Sequence, residues 1–285
     1  MGRRGCLDSS PRRGTIADLG RTRIDGQIDA CEGWPQMSEP AVQSVAIREV
    51  DVARHRQISS FAISIPRGQA WVVGKEADLA IGVEPPDPGV SRRALAIAAS
   101  ADGWRLTIHN RNGAVVHLWG QAPTWADPGS ELVLSWPRIG VRVIGSDRTI
   151  EHWVLFESDQ YVIAGDGPVS RLPGPTRRPP TPRTLTATQA AAVRTVFREF
   201  LAWPPISGPL PMPLAAAGNR LGVSATAISE RLVRVQERAH ALGLHHQTGV
   251  SDPSYVYLLV RHGYIDPSIG SAGGQRNPRR NTDPS

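Results

Sequence analysis

The chain has 285 residues, room for one or two domains, and 40% of them are hydrophobic, which supports a packed core and excludes wholesale disorder. Its two cysteines, Cys6 and Cys31, can build neither a disulfide framework nor a cysteine-based zinc site. No apolar run is long enough to span a bilayer, and Met1-Gly2-Arg3-Arg4-Gly5-Cys6 is not followed by the apolar stretch of a secretory signal, so a cytoplasmic location is expected.

The net charge of +6 is unevenly spread. Residues 46–170 carry 12 basic and 14 acidic side chains, residues 171–183 carry four basic and none acidic, and residues 184–265 carry seven basic and four acidic. The excess therefore sits in the second half, where it would suit an anionic partner. Of the 32 Lys+Arg residues, Lys75 alone is a lysine.

In chain order, residues 1–44 show neither a strand nor a helix period and are expected to be disordered, with Met37 an alternative start. Residues 45–170 read as a β domain. Short strands are expected at 61–65, 70–73, 79–81, 94–98, 104–108, 115–118, 131–134, 141–144 and 153–156, separated by Gly/Pro/Asp/Asn turns. Asp102-Gly103 and Asn112-Gly113 are strong turn dipeptides, because both residue types tolerate a left-handed backbone. Many short strands at near-regular spacing indicate an all-β sandwich or barrel. Trp71 and Trp104 lie in apolar strands and are expected in the core.

Residues 171–184 form a Pro/Arg-rich stretch that reads as an extended, semi-stiff linker. The period then becomes helical, with helices expected over 187–203, 214–221, 225–242 and 255–263, inside a domain spanning 185–266. Gly222, Gly243 and Gly263 stand where helices would end. The polar tail 267–285 is expected to be disordered.

Three motifs in the β region occur in a definite order: Val73-Gly74-Lys75-Glu76, then Val90-Ser91-Arg92-Arg93-Ala94, then Asn112-Gly113. In order, spacing and intervening strands, residues 57–158 resemble the forkhead-associated (FHA) family. The resemblance implies a sandwich that binds phosphothreonine peptides through loops at one end. A phosphate brings nearly two negative charges and three acceptor oxygens, so it needs cations and hydroxyl donors on a rigid frame. By resemblance Lys75 stands where the family has a phosphate-binding Arg, Ser91 donates its hydroxyl, Arg92 adds a cation, and Asn112 bonds the peptide backbone. The chain departs from the family twice. Lys75 is a point charge in place of a planar fork, and Ala94 falls where a His braces the Ser loop. Singly, Ser91 and Asn112 also read as ordinary turn residues, and Arg92 as a solvated one.

In the helical region, Leu221-Gly222-Val223-Ser224 followed by Ile228, Leu232 and Val235 at helical spacing is similar to the helix-turn-helix segment of bacterial response regulators and sigma factors. Ser224 is suited to cap the second helix. Ser224, Ala225, Thr226, Ser229, Arg231 and Arg234 would face a major groove if DNA is bound. The same fold also serves protein docking. The expected class is thus multidomain, an FHA-like β-sandwich followed by an all-α (winged) helix-turn-helix domain, an arrangement similar to actinobacterial proteins of Ser/Thr kinase signalling.

No Gly-rich nucleotide loop, Ser nucleophile elbow or metal-type His pair appears; adjacent His245-His246 would diverge on a strand. No catalytic residue, metal, cofactor, small-molecule substrate or membrane partner is expected. The expected partners are a phosphothreonine-containing protein and DNA. The alternative is a phosphate-independent adaptor or scaffold with a degenerate sandwich and no DNA binding.

Overall fold

The computed structural model describes residues 43–161, 163, 184–244 and 248–269. The expectations for 1–42, 171–183, His245-His246 and 270–285 lie outside the described residues.

Eleven strands occur among the described residues: β1 (Gln43–Asp51), β2 (Arg56–Ser64), β3 (Ala70–Gly74), β4 (Leu79–Ala80), β5 (Leu95–Ser100), β6 (Gly103–Ile108), β7 (Ala114–Leu118), β8 (Thr124–Ala126), β9 (Glu131–Leu134), β10 (Arg138–Val143) and β11 (Ile150–Ser158). They form two sheets, ordered β2-β1-β11-β10-β7-β8 and β4-β3-β5-β6-β9. Every pairing is antiparallel except β3 with β4. The turn expected at Asp102-Gly103 closes the β5–β6 hairpin, whose last pair is Ser100↔Gly103.

Alternation along each strand sends one set of side chains between the sheets. Val45, Ile47, Leu95, Ile97, Trp104, Leu106, Ile139, Val141, Val154 and Phe156 make that core. Trp104 and Phe156 pack with ring centroids 5.0 Å apart. Trp104 is fully buried, while Trp71 is half-buried at the core's margin.

Two strands were not expected. β1 alternates buried and half-buried positions along all nine residues, but its inward set includes Gln43, Glu49 and Asp51, so the apolar signal fades halfway. Residues 43 and 44, expected to be disordered, therefore belong to the sheet. β8 is three residues long and carries an exposed Trp125, too little to register as a period.

The helices are α1 (Ala187–Val196), α2 (Leu214–Leu221), α3 (Ala225–Ala241) and α4 (Ser254–Arg261). α1 opens with a reciprocal capping box between Thr186 and Gln189 and stops at Phe197, well short of residue 203. The apolar run beyond it folds into turns whose side chains still reach the core. α2 ends at Gly222, whose left-handed backbone (φ 66°) suits glycine. The Ser224 hydroxyl then accepts from the Ala227 amide at 3.1 Å to start α3. Val193, Phe197, Ile228, Leu232, Val235, Tyr255 and Leu259 fill the core of this unit. No strand occurs among its described residues, so the expected wing has no hairpin there.

The helical unit packs on the outer face of the six-stranded sheet. Trp119 donates its indole N–H to the Leu201 carbonyl at 2.9 Å, and Trp203 donates to Glu157 at 2.5 Å. The Arg138 guanidinium lies 4.3 Å over the Trp119 ring.

Candidate functional site

The segments after β3, before β5 and between β6 and β7 gather at one end of the sandwich. Just beyond β3, the Lys75 amide donates to the Ser91 carbonyl at 3.2 Å and the Glu76 amide to the Arg92 carbonyl at 3.0 Å. This approach is possible because residue 74 is glycine; a Cβ there would collide with the Arg92 carbonyl. Ser91 is fixed from the other side. Its amide donates to Asn110 Oδ1 at 2.9 Å, and its hydroxyl accepts from the Arg111 amide at 3.1 Å. The Ser91 hydroxyl proton is thereby left to donate elsewhere. Asn112 Nδ2 donates to the Gly89 carbonyl at 3.2 Å, and Lys75 Nζ donates to the Asp87 carbonyl at 3.2 Å. Arg92 is exposed and pairs with Glu76 at 3.3 Å.

Lys75, Ser91, Arg92 and Asn112 thus share one loop cluster, each tied to it by a hydrogen bond or ion pair. Exposed Arg93 and Arg111 flank them. The rim carries more cations than carboxylates, with Ser91 at its middle. Ala94 is buried in the apolar core and has no polar atom to brace the Ser91 loop.

Sequence reasoning missed what lies beneath this rim. His152, fully buried, places Nδ1 2.8 Å from Glu49 Oε1 and Nε2 3.1 Å from Asp87 Oδ2. Glu49 also accepts from the Gly82 amide at 2.7 Å and the Ser59 hydroxyl at 2.8 Å. Asp87 also accepts from the amides of Gly89 (2.7 Å), Ser146 (2.9 Å) and Asp147 (3.3 Å) and from the Ser146 hydroxyl at 2.7 Å. Burial would raise both carboxyls. The Ser146, Gly89 and His152 donors outweigh it at Asp87, which falls well below the usual carboxylate range. At Glu49 the His152, Gly82 and Ser59 donors likewise bring the value down. Burial would lower His152, but its bonds to Glu49 and Asp87 raise it instead. A carboxylate oxygen within hydrogen-bonding distance of each ring nitrogen gives an acceptor to both N–H groups of an imidazolium.

Asn110 was missed as well. Fully buried, it accepts from Ser91 and donates to the carbonyls of Gly113 (3.0 Å) and Ile144 (2.8 Å), joining three loops. Its spacing two residues before Asn112 was the available signal. For Asp87, hidden in Pro85-Pro86-Asp87-Pro88-Gly89, and His152, inside a strand, no local signal existed.

In the helical unit, Ser224 is occupied as the α3 cap. Thr226 and Arg234 are exposed, whereas Ala225, Ser229 and Arg231 are half-buried. Arg231 and Arg234 line a depression that also includes Thr186, Thr188 and Gln189 at the start of α1. The six residues therefore do not form one open face. Glu230 and Glu237 interrupt the cations on α3.

Among the described residues no His/Cys/Asp/Glu cluster could hold a metal ion, and no helix is long and apolar enough to cross a membrane.

No protein-family model and no curated protein matches the chain. Among solved structures, it is similar to one from a study of phosphothreonine-dependent FHA domain interactions (23% identity, 39% of this chain, 94% of that one, TM-score 0.25). It is also similar to the FHA-1 domain of Mycobacterium tuberculosis Rv1747 (18% identity, 42% and 97%, TM-score 0.25). A third likeness is to the IAD domain of Interferon Regulatory Factor 9 (11% identity, 46% and 89%, TM-score 0.32).

Proposed function

We propose that the sandwich is an FHA-like binding module that takes a phosphothreonine-bearing protein partner at the loop rim, in a signalling role. The observation that carries this reading is the convergence on one rim of the chain's single lysine, the Ser91 hydroxyl and the Asn112 amide, each anchored through its own hydrogen bond. In this arrangement Lys75 and Ser91 contact the phosphate oxygens, Arg92 turns from its weak exposed pair with Glu76 toward the same charge, and Asn112 holds the peptide main chain. The test is a titration of the full chain with matched phosphothreonine and unphosphorylated peptide libraries. Selective binding of the phosphorylated form is expected. Equal affinity for both would instead identify a phosphate-independent adaptor.

For the helical unit, the αL turn at Gly222 and the Ser224 cap support a helix-turn-helix that contacts DNA through the first turns of α3, chiefly Thr226 and Arg234. A mobility shift of the full chain with duplex DNA at two salt concentrations tests it. Retardation that weakens steeply with salt is expected; retardation insensitive to salt, or none at low salt, counts against DNA and for protein docking.

A further inference from the structure

We propose that His152 is the positioning residue of this rim: doubly protonated and clamped between Glu49 and Asp87, it holds both ends of the 82–90 loop and so sets where Lys75 and Asn112 face a phosphorylated partner. The proposal rests on the phosphopeptide reading for its ligand, but not for its geometry.

The connectivity carries it. At the start of the loop, the Gly82 amide is fixed on Glu49 Oε1; at its end, the Gly89 amide is fixed on Asp87 Oδ1. The two carboxylates come from different places, one on β1 and one within the loop itself, and His152 of β11 joins them. Asp87 then hands the constraint outward. Its backbone carbonyl accepts both the Val90 amide at 3.2 Å and Lys75 Nζ, and Ser91 follows directly. The Gly89 carbonyl receives Asn112. Two of the rim side chains therefore hang on main-chain atoms whose positions the buried cluster determines. Ala94 offers no brace from its own position, so the support comes from a strand on the opposite sheet.

Charge explains why the imidazole must be cationic. The groups facing it are Glu49, Asp87 and, at the turn above, Asp147, with Ser59 and Ser146 as neutral donors to the carboxylates. Among the described residues, no cationic side chain is bonded to either ring nitrogen's partner oxygen. A neutral ring would withdraw one N–H bond and leave two buried carboxylates with no counter-charge between them, the costly case of a buried charge without its partner.

The experiment uses the full chain. Nitrogen-15 NMR of the His152 ring is expected to show both nitrogens protonated at neutral pH, and the Gly82 and Gly89 amides are expected to exchange slowly. His152→Gln, whose single amide cannot reach both carboxylates, should speed exchange at both glycines. It should also weaken a phosphothreonine peptide about tenfold, the usual scale for removing a residue that orients binding groups. As pH rises above the ordinary histidine range while staying below the lysine range, wild-type affinity should decline as His152 loses its proton, and the His152→Gln profile should be flat there. Asp87→Asn, nearly isosteric, is the second variant should His152→Gln not fold, and should act in the same direction. Lys75→Ala should abolish peptide binding yet leave the ring signal and glycine exchange unchanged. A ring nitrogen without a proton at neutral pH overturns the proposal, as does a variant with unaltered exchange and affinity. A wild-type chain that ignores phosphopeptides, with slow glycine exchange and a doubly protonated ring, overturns the phosphopeptide reading and leaves the clamp standing.

Discussion

Strand β11 carries a buried polar cluster on each of its faces, and the two differ in almost every respect. Inward, His152 sits between two carboxylates whose oxygens are all served by amides, hydroxyls or the ring itself. Outward, beneath the helical unit, Glu151 receives the Trp153 indole at 2.9 Å and pairs with Arg142 at 3.5 Å, beside His117 of β7. There Arg142 Nε, His117 Nε2 and Ser207 Oγ are buried without a protein partner, and all three line one cavity of about 150 Å³ between sheet and helices. The two histidines respond oppositely. Burial and the neighbouring Arg142 push His117 down to about 4, whereas carboxylates on both sides raise His152. Depth alone therefore does not decide whether a histidine is charged; the sign of what surrounds it does. A satisfied cluster holds a geometry, and an unsatisfied one leaves a seam whose polar atoms have no fixed protein partner.

The hardest blow to this contrast is Asp87→Ala. It strips the imidazolium of one counter-charge and orphans the Gly89 and Ser146 amides, so urea unfolding of the full chain should show a loss of about 3–5 kcal/mol. Acid titration of stability separates the two histidines next. His117 folds below its ordinary 6.5, so the unfolded chain takes up the proton first. Its contribution is intact above 6.5 and is lost as pH falls toward about 4, amounting to roughly 3 kcal/mol at most. His117→Leu should flatten stability over that window. His152 has the reverse sign: its contribution is complete below 6.5 and is lost as pH rises through its elevated folded value. Glu49 and Asp87 add stability above the ordinary carboxylate range that is lost as pH falls through their depressed values. If His117→Leu and His152→Gln shift the pH curve in the same direction, the comparison is wrong.

Smaller effects sharpen it. Trp203→Ala removes the bond to Glu157 and the packing on Trp119, whose rings lie 6.3 Å apart, and should cost about 2 kcal/mol because the side chain is only half-buried. That loss should leave His152 unaffected, since the seam lies on the other face. Lys75→Arg should change stability by less than about 0.5 kcal/mol, because it replaces one half-buried rim cation with another. Its effect belongs to calorimetric peptide titration, where affinity should hold or rise.

What was legible in the sequence follows the same division. Strands with an unbroken apolar period, such as β5, β6 and β10, and helices bounded by local chemistry, such as Gly222 and Ser224, declare themselves. Ser91 and Asn112 are visible because turns select their residue types locally. β1 was obscured by Glu49 and Asp51, which break the apolar alternation while obeying the geometric one. Asp87 and His152 acquire meaning only once the sheet pairs, since neither has a distinctive neighbour. The end of α1 was misread because Phe197 and Leu201 are core residues reached from turns as well as from a helix. Buried polar groups with distant partners are the part of a fold that a one-dimensional pattern hides.

The pairing of β1 with β11 has a consequence for how the chain matures. Glu49 and His152 are separated by 103 positions, and every β1 residue from Gln43 to Asp51 finds its neighbour between Ser158 and Ile150. During synthesis β1 can pair with β2 as soon as both have emerged, but its other edge must wait for β11 until nearly the whole sandwich has left the ribosome. The rim that faces outward is completed only by the last strand to arrive.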